Sequence, residues 1–158
     1  MNAGRILATM ALLTAANVAQ AQSTTQDVTF EVQAINEIAF VGSPSLVIAS
    51  ATAGSAPDAE QATGSWAVTT NGSNMKVTAS INSAMPSGLT LTTELVAPTG
   101  GTSAGATTLT TVAADVVTGI SQKAESGLTV TYELTADLTA AVAASATRTV
   151  TYTIVAGS

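Results

Sequence analysis

"SWAVTTNGSNMKVTASIN", residues 65–82, contains two runs in which apolar and polar side chains alternate, separated by Asn-Gly. Alternate residues of an extended chain share one face. The inward sets are Trp66, Val68 and Thr70 in the first run, and Met75, Val77, Ala79 and Ile81 in the second. Asn-Gly between such runs favours a tight turn, because both residues tolerate positive φ. The stretch therefore predicts two antiparallel strands that pair as a hairpin.

The same alternation recurs along the chain. It is strongest in "GLTVTYELTADL" (residues 127–138), for which "TRTVTYTIVAG" (147–157) is the predicted antiparallel partner. "LTLTTEL" (89–95), "LVIAS" (46–50) and "DVTFEV" (27–32) add further strands. About seven or eight strands with regularly spaced turns predict an all-β fold, an immunoglobulin-like antiparallel β-sandwich. Without a Cys…Trp…Cys pattern the label describes architecture only, and a jelly roll or small barrel is the alternative.

The first residues predict an export signal. After Arg5, "ILATMALLTAANVA" (residues 6–19) is apolar or small throughout, and "AQA" (19–21) places small residues where a signal peptidase cleaves. The alternative is a membrane anchor, but the apolar run is shorter than the roughly 20 residues that span a bilayer. We expect residues 1–21 to be a signal peptide of bacterial type, cleaved after Ala21. The protein is then secreted or on the cell surface, with no membrane insertion.

Composition limits the classes of function. Cleavage would remove Arg5 and leave three basic against ten acidic residues, a net charge of −7. That balance disfavours nucleic acid as a partner. The chain is 46% hydrophobic and 9% charged, which is not a disordered composition. It has no cysteine and no histidine, so it lacks disulfides and the commonest general base and transition-metal ligand.

No motif indicates chemistry. Asp58 and Glu60 share a loop and are candidate calcium ligands, but no ligand spacing supports them and a solvated loop is the favoured interpretation. A serine with Lys76 or Lys123 as base lacks any surrounding motif. We predict no catalytic, metal or cofactor site, and a protein that is not an enzyme. Trp66 is a candidate for stacking on a sugar, although its place in the alternation favours the core.

The N-terminal segment allows two interpretations. Residues 22–41 either form the first strand of the sandwich body (residues 42–158), or leave their own subunit and complete the sheet of the next. A head-to-tail exchange of this kind does not close and propagates into a filament. The segment begins near the new N-terminus and contains both phenylalanines. The absence of disulfides and the low charge are expected where association supplies stability.

We favour strand donation between copies of the same chain. The expected donor residues are Val28, Phe30, Val32, Ile35, Ile38 and Phe40, and the expected acceptor groove includes Val150, Tyr152 and Ile154. The alternative is a monomeric secreted binding module, with carbohydrate as its ligand. A cluster of exposed aromatic side chains beside Trp66 would favour that alternative.

The chain resembles secreted, cysteine-free, single-domain β-sandwich proteins of the bacterial cell surface, and is more distantly similar to biofilm-fibre and pilus subunits that assemble by strand donation. The resemblance covers most of the mature chain. It is carried by "QDVTFEVQAINEIAFVG" (26–42), "WAVTTNGSNMKVTASINSAMPSGLTL" (66–91), "AADVVTGIS" (113–121), "ESGLTVTYELTADL" (125–138) and "RTVTYTI" (148–154). It implies a homopolymer, a fimbria-like filament or surface matrix. Chaperone–usher pilins commonly carry a disulfide, so the resemblance does not extend to a dedicated chaperone.

Overall fold

The computed structural model of the chain describes residues 21–142 and 145–158. The predicted signal peptide therefore lies, apart from Ala21, outside the described residues. The chain divides into two units, of which the second, Gln33–Ser158, contains all the strands of the described part.

This second unit is a β-sandwich. Its strands are β1 (Asn36–Val41), β2 (Glu60–Thr70), β3 (Met75–Ile81), β4 (Leu89–Leu95), β5 (Thr102–Ser103), β6 (Thr107–Thr108), β7 (Ala114–Ile120), β8 (Lys123–Ala136) and β9 (Val150–Ala156). One sheet has the order β1-β2-β8-β4-β6 and the other the order β5-β7-β3-β9, with every pairing antiparallel. The predicted all-β sandwich is confirmed, with nine strands among the described residues because β5 and β6 are two-residue strands. The finer immunoglobulin-like assignment stays a prediction.

The core lies between the two sheets and follows the alternation of the sequence. Apolar side chains from β2, β4 and β8 meet those of β3 and β7, and the largest fully buried ones include Trp66, Leu95 and Ile120. The predicted inward sets of residues 65–82 are all buried. Thr70 and Thr93 are buried hydroxyls that occupy inward positions. Period-2 patterning therefore identified the buried faces of β2 and β3 correctly, whereas β7 buries the adjacent Val116 and Val117 and departs from the alternation.

The predicted hairpin at Asn71-Gly72 is wrong in its pairing. β2 belongs to the five-stranded sheet and β3 to the four-stranded sheet, so residues 71–74 cross from one sheet to the other. The residue with positive φ in this connection is Asn74, at 51°. A second crossing between β7 and β8 lies beside it, where Gln122 N–H donates to Gly72 C=O at 2.8 Å. Alternation identifies which face of each strand is buried. It does not tell whether two such strands lie side by side in one sheet or face each other from two sheets.

One further pairing prediction is wrong for the same reason, and two segments predicted as strands form none within their own subunit. The segment 147–157 was expected to pair with 127–138, whereas β9 pairs with β3, and β8 pairs with β2 and β4. "LVIAS" (46–50) forms no strand, and an isolated bridge joins Ala51 to Pro57 just after it. Residues 27–32 form no strand either, and β1 begins at Asn36. A strand needs a partner backbone, and the alternation of one segment does not name that partner.

Candidate self-association site

The edge strands β1 and β9 lie on the same side of the sandwich. β1 is the outermost strand of the five-stranded sheet and β9 is the outermost strand of the four-stranded sheet. The ring of Phe40 on β1 stacks on the ring of Tyr152 on β9, with centroids 4.0 Å apart. Phe40 also stacks on the buried ring of Trp66, at 5.9 Å. These three rings join the two open edges across the core.

A chain of hydroxyl groups also fixes β9 to the opposite sheet. Tyr152 Oη lies 2.9 Å from Thr93 Oγ1 on β4, and it donates a hydrogen bond to Tyr132 Oη on β8 at 3.0 Å. Burial raises the pKa of the Tyr152 phenol far above its usual value, and it raises the pKa of Tyr132 as well. Both phenols are therefore neutral at physiological pH and act as hydrogen-bonding groups.

In the part of the chain that the structure describes, the backbone hydrogen-bonding groups of β9 that do not face β3 include those of the three residues predicted as the acceptor. The residue pairs just beyond the two ends of the β3–β9 ladder are hydrogen-bonded to each other. Asn82 N–H donates to Thr149 C=O at one end, and Gly157 N–H donates to Asn74 C=O at the other. Bonded and non-bonded pairs alternate in an antiparallel ladder. Residues 151, 153 and 155 therefore face β3, while the amides and carbonyls of Val150, Tyr152 and Ile154 point to the free edge.

The same three residues have half-buried side chains that pack against the core. Their neighbours Thr151 and Thr153 point outward and are exposed. A strand added at this edge would thus place its own alternate side chains next to Val150, Tyr152 and Ile154 and extend the core. The structure brings the three predicted acceptor residues together along one open edge.

The two edges differ in how well they are protected against strand addition. β9, "VTYTIVA", contains no charged residue and no proline over seven residues. β1, "NEIAFV", carries Glu37 on its exposed face. Charges on edge strands are a common device that prevents further pairing. Within the described residues, β9 pairs with β3 alone and is the less protected of the two edges.

The six predicted donor residues divide into three sets. Ile38 and Phe40 lie on β1, are half-buried and pack against the core of their own subunit. Ile35, immediately before β1, is 44% exposed. Val28, Phe30 and Val32 are 76, 88 and 79% exposed and belong to no strand. Within the predicted donor segment, residues 27–32 are therefore the part whose alternating apolar side chains are not buried.

The start of β1 is held by a clamp that the sequence analysis missed. Asn71 Nδ2 donates to Gln33 C=O at 2.8 Å, and Asn71 Oδ1 accepts from Ile35 N–H at 2.9 Å. Thr70 Oγ1 donates to Asn36 Oδ1 at 2.6 Å beside it. The local sequence indicates only a turn at Asn71, and the pairing of its amide with a segment 36 residues away leaves no signal there. The clamp fixes the point at which the chain enters the sandwich.

The groups considered for other functions lie apart from each other. Trp66 is 1% exposed and its indole N–H donates to Val96 C=O, so it is a core residue. Of the five aromatic side chains, all in the described part, only Phe30 is mostly exposed. Asp58 accepts a hydrogen bond from Ser50, and no group of three or more potential metal-ligating side chains occurs among residues 21–142 and 145–158. Lys76 forms an ion pair with Asp115 at 3.0 Å.

A hollow of about 220 Å³ opens between Met85, Leu91 and Leu109. Its walls are apolar side chains and threonines, and none of the residues that line it is charged. It offers no acid, base or metal ligand.

None of the described residues forms a helix of the length and apolar character that a bilayer crossing requires. Comparison with known proteins gives no relative: no protein-family model matches the chain, and no curated protein or solved structure does so either.

Proposed function

We propose that this protein is an exported, non-enzymatic structural subunit that associates with copies of itself, head to tail, into an extracellular filament or surface matrix. The donated element is the segment around Val28, Phe30 and Val32. It adds to the β9 edge of a neighbouring subunit, beside Val150, Tyr152 and Ile154. The finer immunoglobulin-like description and the resemblance to strand-donating surface proteins are part of the same proposal.

One observation carries this proposal. The chain has an exposed segment with an alternating apolar face, and its sandwich has an uncharged edge strand with an alternating inward face. Burying one Val or Phe side chain contributes about 1.5–3 kcal/mol, which is a gain available to each of the three exposed residues. Main-chain hydrogen bonds along β9 would add affinity, and the alternate side chains would add specificity.

The experiment compares three versions of the secreted chain that begins at Gln22. They are the wild type, a variant with Val28, Phe30 and Val32 changed to serine, and a control with Val47, Val112 and Leu138 changed to serine. The control removes three other exposed apolar side chains of similar size. Light scattering and negative-stain electron microscopy report assembly. A peptide of residues 23–33, added in excess, serves as a competitor.

The wild type and the control should form filaments, and the Val28/Phe30/Val32 variant should remain small. The peptide should inhibit wild-type assembly, while a peptide carrying the same three serines should not. A wild type that remains monomeric at high concentration would contradict the proposal, and so would a Val28/Phe30/Val32 variant that assembles normally.

A further inference from the structure

We infer that the segment is added antiparallel to β9 of a second copy, with Phe30 opposite Tyr152. This inference rests on the proposed function and specifies its register and direction. It follows from the pattern of the two strands, from the free backbone groups of β9, and from the length of the chain that links residues 32 and 36.

The register follows from side-chain alternation. The inward residues of the segment are valine, phenylalanine and valine at positions 28, 30 and 32, and those of β9 are valine, tyrosine and isoleucine at 150, 152 and 154. Pairing Phe30 with Tyr152 matches all three inward positions at once. A shift by one residue would turn the apolar side chains to the solvent face. A shift by two would leave one inward residue without a partner.

The direction follows from charge and pairing. In the antiparallel alignment Asp27 lies opposite Val155, which is itself opposite Lys76 on β3. Asp27, Val155 and Lys76 would then lie side by side on three neighbouring strands, with their side chains on the outward face, where Lys76 already pairs with Asp115. In the parallel alignment Asp27 would lie opposite Thr149, far along the edge from that lysine. Antiparallel ladders are also slightly more stable per residue than parallel ones.

The antiparallel alignment requires a second molecule. β1 begins where β2 ends, because Asn36 pairs with Thr70. β9 ends where β3 begins, because Ala156 pairs with Met75. Residues 71–74 connect β2 to β3, so both points lie at the same end of the sandwich. Antiparallel addition puts residue 32 opposite Val150, at the other end of β9. That point is about 20 Å from the end of β9, at the usual rise per residue. The link from residue 32 to residue 36 spans at most about 14 Å, so the same chain cannot make this pairing.

Disulfide trapping tests the alignment, and the chain has no cysteine of its own to interfere. Because Tyr152 directs its backbone groups to the free edge, Phe30 and Tyr152 would form a hydrogen-bonded pair. The flanking pairs, Thr29 with Thr153 and Glu31 with Thr151, are then non-hydrogen-bonded pairs with Cα atoms about 4.5 Å apart. That separation suits a disulfide, which needs Cα atoms within about 7 Å.

Four double variants of the chain from Gln22 would be assembled under reducing conditions, imaged, and then oxidised. Two variants, T29C/T153C and E31C/T151C, test the antiparallel alignment. T29C/T151C tests the parallel alignment, and T29C/A39C tests addition to the β1 edge. The first two should give ladders of covalent multimers on a non-reducing gel. The last two should give no more ladder than the single variant T29C.

The outcomes separate this inference from the proposed function. Filaments whose chains are linked through T29C/T151C or T29C/A39C would overturn the antiparallel register on β9 and leave strand donation standing. A disulfide-linked monomer of T29C/T151C would show that the segment folds onto its own subunit, which contradicts both. If wild type and variants form no filaments and no ladders, the proposed function fails and this inference fails with it.

Discussion

The aromatic ring of Phe40 stacks on that of Tyr152 with an interplanar angle of 14°, although the two residues belong to different sheets. The contact holds the open edges of both sheets together. It makes β1 an integral strand of its own subunit, although the sequence placed Phe40 in the same donor segment as Phe30. The two phenylalanines of the chain therefore have different roles, and substitutions can separate them.

We expect Phe40→Ala to lower the free energy of unfolding by about 2 kcal/mol, less than for a fully buried phenylalanine because Phe40 is partly exposed. Phe30→Ala should change the unfolding free energy by no more than about 0.5 kcal/mol, since Phe30 is 88% exposed. Phe30→Ala should nevertheless reduce filament formation. Urea titration of the monomeric fraction and light scattering measure the two effects. Equal loss of stability in both variants would contradict the distinction.

The hydroxyl chain predicts unequal costs for two conservative substitutions. Tyr152→Phe removes the partner of Thr93, a fully buried hydroxyl, and should cost about 1–3 kcal/mol. Tyr132→Phe leaves the bond between Tyr152 and Thr93 intact and should cost about 0.5–1.5 kcal/mol. Chemical denaturation compares them. A larger loss for Tyr132→Phe would show that Thr93 does not depend on Tyr152.

The two phenols also predict a loss of stability at alkaline pH. Burial raises the pKa of both Tyr132 and Tyr152 in the folded state, whereas in the unfolded chain they ionise near pH 10. The unfolded state therefore releases these two protons at a lower pH than the folded state does. The free energy of unfolding falls as the pH rises above about 10, and these two groups do not affect it below that pH. Thermal unfolding followed from pH 7 to pH 11 should show the fall. The variant lacking both hydroxyl groups should show a shallower one.

Gly88 is predicted to tolerate no side chain. It has a φ of +80°, and a Cβ atom there would lie 2.6 Å from the backbone nitrogen of Ala140. Gly105 has a similar φ of +73° but open space around it, so Gly105→Ala measures the backbone strain alone. That strain is about 1–2 kcal/mol. Gly88→Ala should lower the melting temperature clearly more than Gly105→Ala, and equal shifts would contradict a steric origin.

The sequence predicted the buried faces well, and the pairing of strands poorly. Trp66, Val77, Ile81 and the other inward residues of positions 65–82 follow from period-2 alternation, which depends only on the extended chain and the contrast between core and solvent. Whether residues 71–74 turn back within a sheet or cross between sheets depends on contacts with the β7–β8 connection, which lies about 50 residues away in sequence. No local pattern contains that information.

The alternation of "TRTVTYTI" was sufficient to identify Val150, Tyr152 and Ile154 as one inward face, but it did not show that their strand lies at the edge of a sheet. Their role as acceptor residues stays a prediction. The division of the donor residues at Ile35 could not be foreseen. It arises from the Asn71 side chain, which binds the backbone on both sides of Ala34 and fixes where pairing with β2 begins.

The Asn71 clamp has a mechanical consequence for a filament of the proposed kind. Tension transmitted through residues 27–32 would enter each sandwich at Gln33 and Ile35 and pass directly into β1. Because β1 lies antiparallel to β2 over six residue pairs, a pull along its axis loads those hydrogen bonds together in shear. Peeling from one end would instead break them one at a time. Under a pull along the β1 axis, the Asn71 bonds to Gln33 and Ile35 would share this shear load, and a fibre without disulfides would gain tensile strength from them.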